Sequence, residues 1–132
     1  MDTDAVDDST GEVADGGSEA QLWPSSEDFV SWVETTISAL ESLDVDSNMH
    51  WCPQWWDHPE AVDRLRALHL QQLVAMPTKD DPAGSLSSWW VDHWDRHAVV
   101  LFGRTGPFGQ CRDGHVRREP LKLDTPPEDL QL

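Results

Sequence analysis

Four side chains of the 132-residue chain are of the types that zinc prefers as ligands. Cys52 and Cys111 offer two thiol groups. His93 and His97 are four residues apart on a predicted helix, so both side chains project from one face. Two thiolates and two imidazoles make a Cys₂His₂ set that suits tetrahedral zinc. The sequence therefore predicts a zinc site formed by these four residues.

Two further histidines are additional candidates for the same site. His58 follows Cys52 after five intervening residues, and His115 lies four residues beyond Cys111. The chain contains no Cys-x₂-Cys pair of the kind found in zinc fingers and ribbons. The alternative interpretation is that the cysteines are buried as small hydrophobic residues and that the histidines form hydrogen bonds in the core. In a reducing cytosol, a structural disulfide between the cysteines is not expected.

The same polar residues resemble parts of a catalytic site, but the rest of such a site is missing. Asp57 with His58 would make an acid–base pair, and Cys52 with His58 would resemble a nucleophile and its base. Neither pair comes with a recognisable oxyanion site. The glycine-rich stretch GRTGPFG lacks the lysine and hydroxyl residue of a phosphate-binding loop. We therefore predict no catalytic residues and no enzymatic activity.

Eight tryptophans and no tyrosine form an unusual aromatic set. Each tryptophan buries a large area, so most of them are expected in the core. Adjacent tryptophans on a helix cannot both face the same way, which leaves one of Trp89 and Trp90 partly exposed. Exposed tryptophan is common at interface hot spots. We expect Trp55, Trp56 and Trp90 to contact another protein.

The charge of the chain is strongly asymmetric. The formal net charge is −16, and residues 1–63 carry 16 acidic side chains without a single Lys or Arg. This half would repel nucleic-acid phosphates, so general nucleic-acid binding is not expected. Two alternatives stay open: the arginine-rich stretch 112–118 touches phosphate in a zinc-stabilised module, or the acidic surface inhibits a DNA-binding protein. The simplest alternative is a solubilising acidic tail.

Composition divides the chain into three parts. Residues 1–22 contain few large apolar groups and are predicted to be a disordered acidic tail. Residues 23–118 are predicted to form a single compact helical domain, and residues 119–132 an extended, proline-rich tail. No apolar run is long enough to cross a membrane, and the acidic start is unlike a signal peptide. These patterns are typical of a cytoplasmic protein.

Periodic apolar residues predict three helices. The first spans 26–43, with Ser25 at its start, and the second spans about 58–75, with Asp57 as its N-cap. The third begins near Leu86 and ends near residue 97.

The apolar stretch 98–102 predicts a buried strand instead. Together with residues 107–111, it would form a short β-hairpin. The expected fold class is therefore mainly α within a small α+β architecture, with three helices packed through tryptophan residues.

Three motifs carry a family resemblance. The stretches WCPQWWDHPEAVDRLRAL, SSWWVDHWDRH and GPFGQC resemble the actinobacterial domain of unknown function family 4913, over residues 29–115. The four predicted zinc ligands lie inside these motifs. Members of this family are small proteins encoded on actinobacterial plasmids, integrative conjugative elements and phages. The resemblance implies an accessory protein of a mobile element and no particular reaction.

Overall fold

The computed structural model describes residues 23–44 and 48–132, and it contains three helical segments. The predicted tail at 1–22 lies outside the described residues. The first segment, α1, is an α-helix at Ser26–Trp32 that continues as a π-helix at Val33–Ile37. A 3₁₀ turn at Trp55–Asp57 precedes α2 at Pro59–Ala75. The third segment, α3, consists of Leu86–Ser88, a π-helical stretch at Trp89–Trp94, and Asp95–Leu101.

Helix α1 begins where the sequence predicts and ends earlier than predicted. The Ser25 hydroxyl accepts a hydrogen bond from the Asp28 backbone N–H at 3.0 Å, which confirms Ser25 as the N-cap. The Thr35 hydroxyl donates to the Ser31 carbonyl at 2.8 Å within the widened π-helical turn. Such side-chain bonds to the preceding turn loosen a helix, and regular helix ends at Ile37. Only single turns follow at Leu40 and Leu43.

The predicted N-cap of α2 is wrong. Pro59 occupies the first helical position, and His58 precedes it in an extended conformation. The residue before proline is pushed out of the helical region, which places the cap position at His58. Asp57 lies in the preceding 3₁₀ turn, and its carboxylate contacts His115 and Arg117 instead of the helix start.

The predicted β-hairpin is also wrong, and the described residues contain no β-strand. The stretch 98–102 continues α3 as helix to Leu101. Its burial follows helical spacing, because Trp94 and Leu101 face the core whereas Val99 is 75% exposed. A run of apolar residues of this length does not distinguish a buried strand from a helix that is buried on one face.

The expected second strand, at residues 107–111, is a series of tight turns. Gly106, Gly109 and Cys111 each donate a backbone hydrogen bond to the residue three positions earlier. Gly106 has no room for a side chain, because an added Cβ would lie 1.8 Å from the Val100 carbonyl oxygen. These turns place Phe108 fully inside the core. The fold is therefore helical in the described region and not α+β.

Aromatic side chains from α1, α3 and the turns around them form much of the core, and α2 packs against them with Ala61, Leu65 and Leu68. The buried rings are those of Phe29, Trp32, Trp55, Trp89, Trp94, Phe102 and Phe108. Trp89 is fully buried, and its indole N–H donates to the Leu68 carbonyl of α2 at 2.9 Å. This bond satisfies the one polar atom that the indole brings into the core. The packing of α3 onto α2 is fixed at this point.

The contact between α1 and α2 contains a buried histidine. His69 of α2 is stacked on Trp32 of α1 with ring centroids 4.7 Å apart. Burial, followed by the charge of Arg66, lowers the pKa of His69, so the ring is held neutral. The Trp32 indole N–H donates to the Gln72 side chain at 2.9 Å, which ties the same two helices together.

The C-terminal residues lie outside the helical core. Residues 119–132 form neither helix nor strand, and they are exposed throughout. None of the helices within 23–44 and 48–132 combines the length and apolar character needed to cross a bilayer.

The adjacent residues Trp89 and Trp90 make a matched pair for testing the core. Trp89→Ala should lower the free energy of unfolding by about 3–5 kcal/mol, because it leaves a large cavity between α2 and α3. Trp90 is 42% exposed, and Trp90→Ala should cost less than about 1 kcal/mol. Denaturant titration followed by circular dichroism measures both. Equal losses in the two variants would contradict the described orientation of α3.

Candidate metal centre

Four side chains capable of binding a metal ion converge at one place in the structure. They are Cys52, His58, Cys111 and His115, and one ligand atom from each lies within 4.8 Å of the other three. The cysteines and His58 are buried, and His115 is half-buried. Together they make a Cys₂His₂ set, as in many structural zinc sites.

Two short turns present these residues in pairs. Cys52 and His58 flank the 3₁₀ turn at Trp55–Asp57, and Pro59 starts α2 immediately afterwards. Cys111 and His115 flank a turn that ends at Gly114, whose φ of 135° is a conformation that glycine adopts readily. The His50 backbone N–H donates to the Phe102 carbonyl at 2.9 Å, which holds the first turn against the end of α3.

The first cross-pair joins Cys52 to His115 across the two turns. The Cys52 Sγ lies 3.2 Å from Nδ1 of His115. The other ring nitrogen, Nε2, lies 2.8 Å from the Asp57 carboxylate, to which it donates. This bond leaves the Nδ1 lone pair facing the centre of the cluster. A histidine that binds a metal commonly has its second nitrogen fixed by a carboxylate in this manner.

Charge around Asp57 supports its role in orienting His115. The hydrogen bond from His115 lowers the pKa of Asp57, with a smaller contribution from Arg117 at 3.3 Å. The carboxylate is therefore ionised at neutral pH and accepts the proton of Nε2. The Asp57 carboxylate determines which nitrogen of His115 faces the cysteines.

The second cross-pair joins Cys111 to His58. The Cys111 Sγ lies 3.4 Å from Nε2 of His58, and it also accepts a hydrogen bond from the Val116 backbone N–H at 3.4 Å. Burial lowers the pKa of His58, which keeps the ring neutral and its lone pair free for a cation. The His58 ring packs edge-on against Phe108, with centroids 5.3 Å apart, so the aromatic core fixes its position.

The spacing of the four atoms fits a zinc ion after a small contraction. In a tetrahedron with Zn–S of about 2.3 Å and Zn–N of about 2.0–2.1 Å, neighbouring ligand atoms are about 3.3–3.8 Å apart. The two cross-pairs, at 3.2 and 3.4 Å, already lie close to these values. The remaining pairs lie within 4.8 Å. A cation at the centre would draw them about 1–1.5 Å closer at most.

The electrostatics of the two cysteines also favour a bound cation. Burial raises the pKa of the Cys52 thiol, and its contact with Cys111 adds to that effect, although the Gln54 backbone N–H opposes it. Two neighbouring thiolates without a positive charge between them would repel each other. A coordinating thiol loses its proton outright, and the positive charge of a zinc ion between the two thiolates would offset their repulsion.

The structure brings together only part of the zinc set expected from sequence. Cys52 and Cys111 meet as predicted. His93 and His97 lie outside the cluster, and the additional candidates His58 and His115 take their places. His97 instead contacts Arg64, with its Nδ1 3.1 Å from the guanidinium. The overlooked signal is that each cysteine is followed by a histidine within six residues, as Cys-x₅-His and Cys-x₃-His.

The three tryptophans expected at a partner surface separate into two groups. Trp55 is buried and packs edge-on against Phe29, with centroids 5.7 Å apart, so it belongs to the core. Trp56 is 60% exposed and Trp90 is 42% exposed. These two remain available on the surface.

Comparison with known proteins identifies a family for the chain. The family model described as Domain of unknown function (DUF4913) matches residues 26–129, which includes the four residues of the cluster. No curated protein and no solved structure shows a significant match to the chain.

The role of Asp57 can be tested apart from the ligands themselves. Asp57→Ala should weaken zinc binding by about 10–100-fold, because His115 loses the group that orients it. Asp57→Asn keeps an oxygen that accepts the Nε2 proton, and its loss should be smaller. Competition with a chromophoric chelator measures the affinity.

Glu60→Gln is the matched control, because it removes a nearby carboxylate that pairs with Arg64 at 2.9 Å and does not contact the cluster. It should bind zinc as the unmodified chain does. Equal affinities for Asp57→Ala and Glu60→Gln would show that Asp57 does not position His115.

Proposed function

We propose that this chain, which belongs to the DUF4913 family, is a zinc-stabilised, non-enzymatic module that binds another protein. One observation carries the zinc half of the proposal: two cysteines and two histidines, remote in sequence, place their ligand atoms within 4.8 Å of one another. The protein-binding half is supported by the tryptophans that remain exposed on a strongly acidic chain.

A structural zinc fits better than a catalytic one. Catalytic zinc sites keep one position open for water or substrate, whereas four protein ligands close the coordination sphere. The residues Cys52, His115 and Asp57 also resemble a nucleophile, a base and its orienting carboxylate. However, Cys52 is fully buried and burial raises the pKa of its thiol, so no substrate reaches an activated nucleophile.

The zinc would join parts of the chain that are remote in sequence. His58 and Cys111 are 53 positions apart, and Cys52 and His115 are 63 positions apart. The cluster thus closes a loop that contains all of α2 and α3. Because a preformed site does not exist in the unfolded chain, the free energy of metal binding adds to the free energy of folding.

The partner is proposed to be a protein with a positively charged surface. Trp56 and Trp90 offer large apolar groups at the surface, and such residues supply much of the affinity at protein interfaces. The net charge of −16 would attract a basic partner and raise the rate of encounter at low salt.

Phosphate binding by the arginine-rich stretch 112–118 is a weaker alternative. Arg117 lies 3.3 Å from the Asp57 carboxylate, and Arg118 donates to the Gly106 carbonyl at 3.0 Å. Both side chains are thus engaged within the chain, and the acidic excess elsewhere opposes a polyanion.

The biological setting is part of the proposal and rests on resemblance alone. The tryptophan-rich motifs are similar to those of small proteins encoded on actinobacterial plasmids, conjugative elements and phages. We accordingly place the protein in the cytoplasm of such a host, as an accessory factor of a mobile element.

Metal content is the direct test of the zinc site. The purified chain should contain about one zinc ion, and both thiols should react only after chelation. Cys52→Ser, Cys111→Ser, His58→Ala and His115→Ala should each lose the metal, and chelation should lower the thermal midpoint. Elemental mass spectrometry and thiol titration provide the readouts.

The control variants are His93→Ala and His97→Ala, which change histidines outside the cluster and should retain zinc. Loss of zinc in these two, with retention in His58→Ala and His115→Ala, would restore the ligand set expected from sequence alone. A folded, metal-free protein with two freely reactive thiols would refute the zinc site.

The tryptophan surface is tested with a partner identified by chemical cross-linking and then purified. Trp56→Ala and Trp90→Ala should each weaken binding about tenfold or more, as hot-spot residues do. Val99→Ala is the control, since Val99 is an exposed apolar residue of α3. Titration calorimetry at two salt concentrations gives the Kd. Equal affinities for all three variants would show that the tryptophans do not form the interface.

A further inference from the structure

We propose that Cys52 and Cys111 form an oxidation site, at which a hydroperoxide closes a reversible disulfide and expels the bound zinc. This inference rests on the metal centre proposed above and adds a regulated state to it. The two sulfur atoms lie within 4.8 Å of each other. The described residues hold both cysteines of the chain, so each can pair only with the other unless two chains meet.

The two cysteines differ in how an oxidant reaches them. A surface cleft of about 380 Å³ is lined by Met49, Trp51, Cys111 and Arg112, among other residues. Cys111 is 5% exposed, and Cys52 is fully buried and does not line this cleft. A hydroperoxide therefore reaches Cys111 first, beside the positive charge of Arg112. Cys52 is then placed behind it as the resolving thiol.

Oxidation of the two thiolates to a disulfide needs only one hydroperoxide and two protons from water. The Cys111 thiolate attacks one oxygen of hydrogen peroxide, the O–O bond breaks, and a sulfenic acid forms with release of hydroxide. The Cys52 thiolate then attacks the Cys111 sulfur, the S–S bond forms, and a second hydroxide leaves. Each hydroxide takes up one proton to give water. Two thiolates are oxidised by two electrons in total, and the peroxide is reduced to two waters.

Formation of the disulfide requires the two turns to approach each other. A disulfide requires about 2.0 Å between sulfurs, so the two turns must move together. The turn after Cys111 ends at Gly114, which has no atom within 4 Å of the position of a Cβ. The chain can therefore bend at Gly114, and the approach of the sulfurs breaks the contact of Cys111 with His58. Once the sulfurs are joined, only the two histidines remain as ligands, and the Cys₂His₂ site is lost.

The test uses the full chain loaded with zinc and treated with hydrogen peroxide. Zinc release is followed with a chromophoric chelator, and disulfide formation by intact mass, which falls by two hydrogens. We expect one zinc released per disulfide, and a thiol reductant should restore both thiols and zinc binding. Oxidation of methionine adds oxygen to the mass and is thereby distinguished. Disulfide-linked dimers, sulfinic acids or retained zinc would overturn the inference.

The order of attack is tested by trapping. Cys52→Ser should accumulate a sulfenic acid at Cys111 that a cyclic 1,3-dione labels, whereas Cys111→Ser should give little label at the buried Cys52. Because each variant removes a metal ligand, the unmodified chain is also oxidised in the presence of excess trap. Label at Cys111 alone supports the proposed order, and label mainly at Cys52 overturns it.

The experiment also separates the two proposals. A chain that contains no zinc but still closes the disulfide rapidly would refute the zinc function and the release of metal, and would leave a thiol-only oxidation site. A chain that holds zinc and resists peroxide would refute the oxidation site and leave the zinc function intact.

Discussion

The described fold depends on bringing residues 52–58 against residues 111–115. Helices α2 and α3 lie between these two short stretches, and the contacts of Cys52 with His115 and of His58 with Cys111 close the loop. Closing a loop of this length costs conformational entropy that a few hydrogen bonds to sulfur do not offset by themselves. The aromatic core and a shared cation are the two contributions that can meet that cost.

These two contributions are physically connected. The ring of His58 packs on Phe108, which is fully buried. The ring centroid of Phe108 lies 5.0 Å from that of Trp51. Any change that shifts Phe108 therefore also moves a candidate ligand. The turns around Gly106 provide this connection, because they place Phe108 in the core. A strand would instead have pointed successive side chains to opposite faces. The Cys₂His₂ cluster is thus positioned from one side by the core and from the other by the Asp57 carboxylate.

Local signals in the sequence predicted where α1 and α2 begin, but not the N-cap of α2 or the end of α1. The start of α1 at Ser25, the proline at the start of α2 and the apolar rows along the helices were all readable. The end of α3 was not, because the run from Ala98 to Phe102 fits a strand as well as a helix until its neighbours are known. The ligand set expected from sequence shares only its two cysteines with the observed cluster, for a similar reason. His93 and His97 have ideal spacing on a helix, but the tertiary contact that selects His58 and His115 over them leaves no periodic trace in the sequence.

The separation in sequence of the two halves of the Cys₂His₂ cluster also has a consequence for biosynthesis. Cys52 is translated 63 positions before His115, a delay of several seconds at about 5–20 residues per second. During that interval Cys52 lacks the histidine that its sulfur contacts in the folded chain. The contacts of the cluster can therefore form only after residues 111–115 have been synthesised. Chaperone binding to the nascent chain, or a pause in elongation after α3, would bear directly on the yield of native protein.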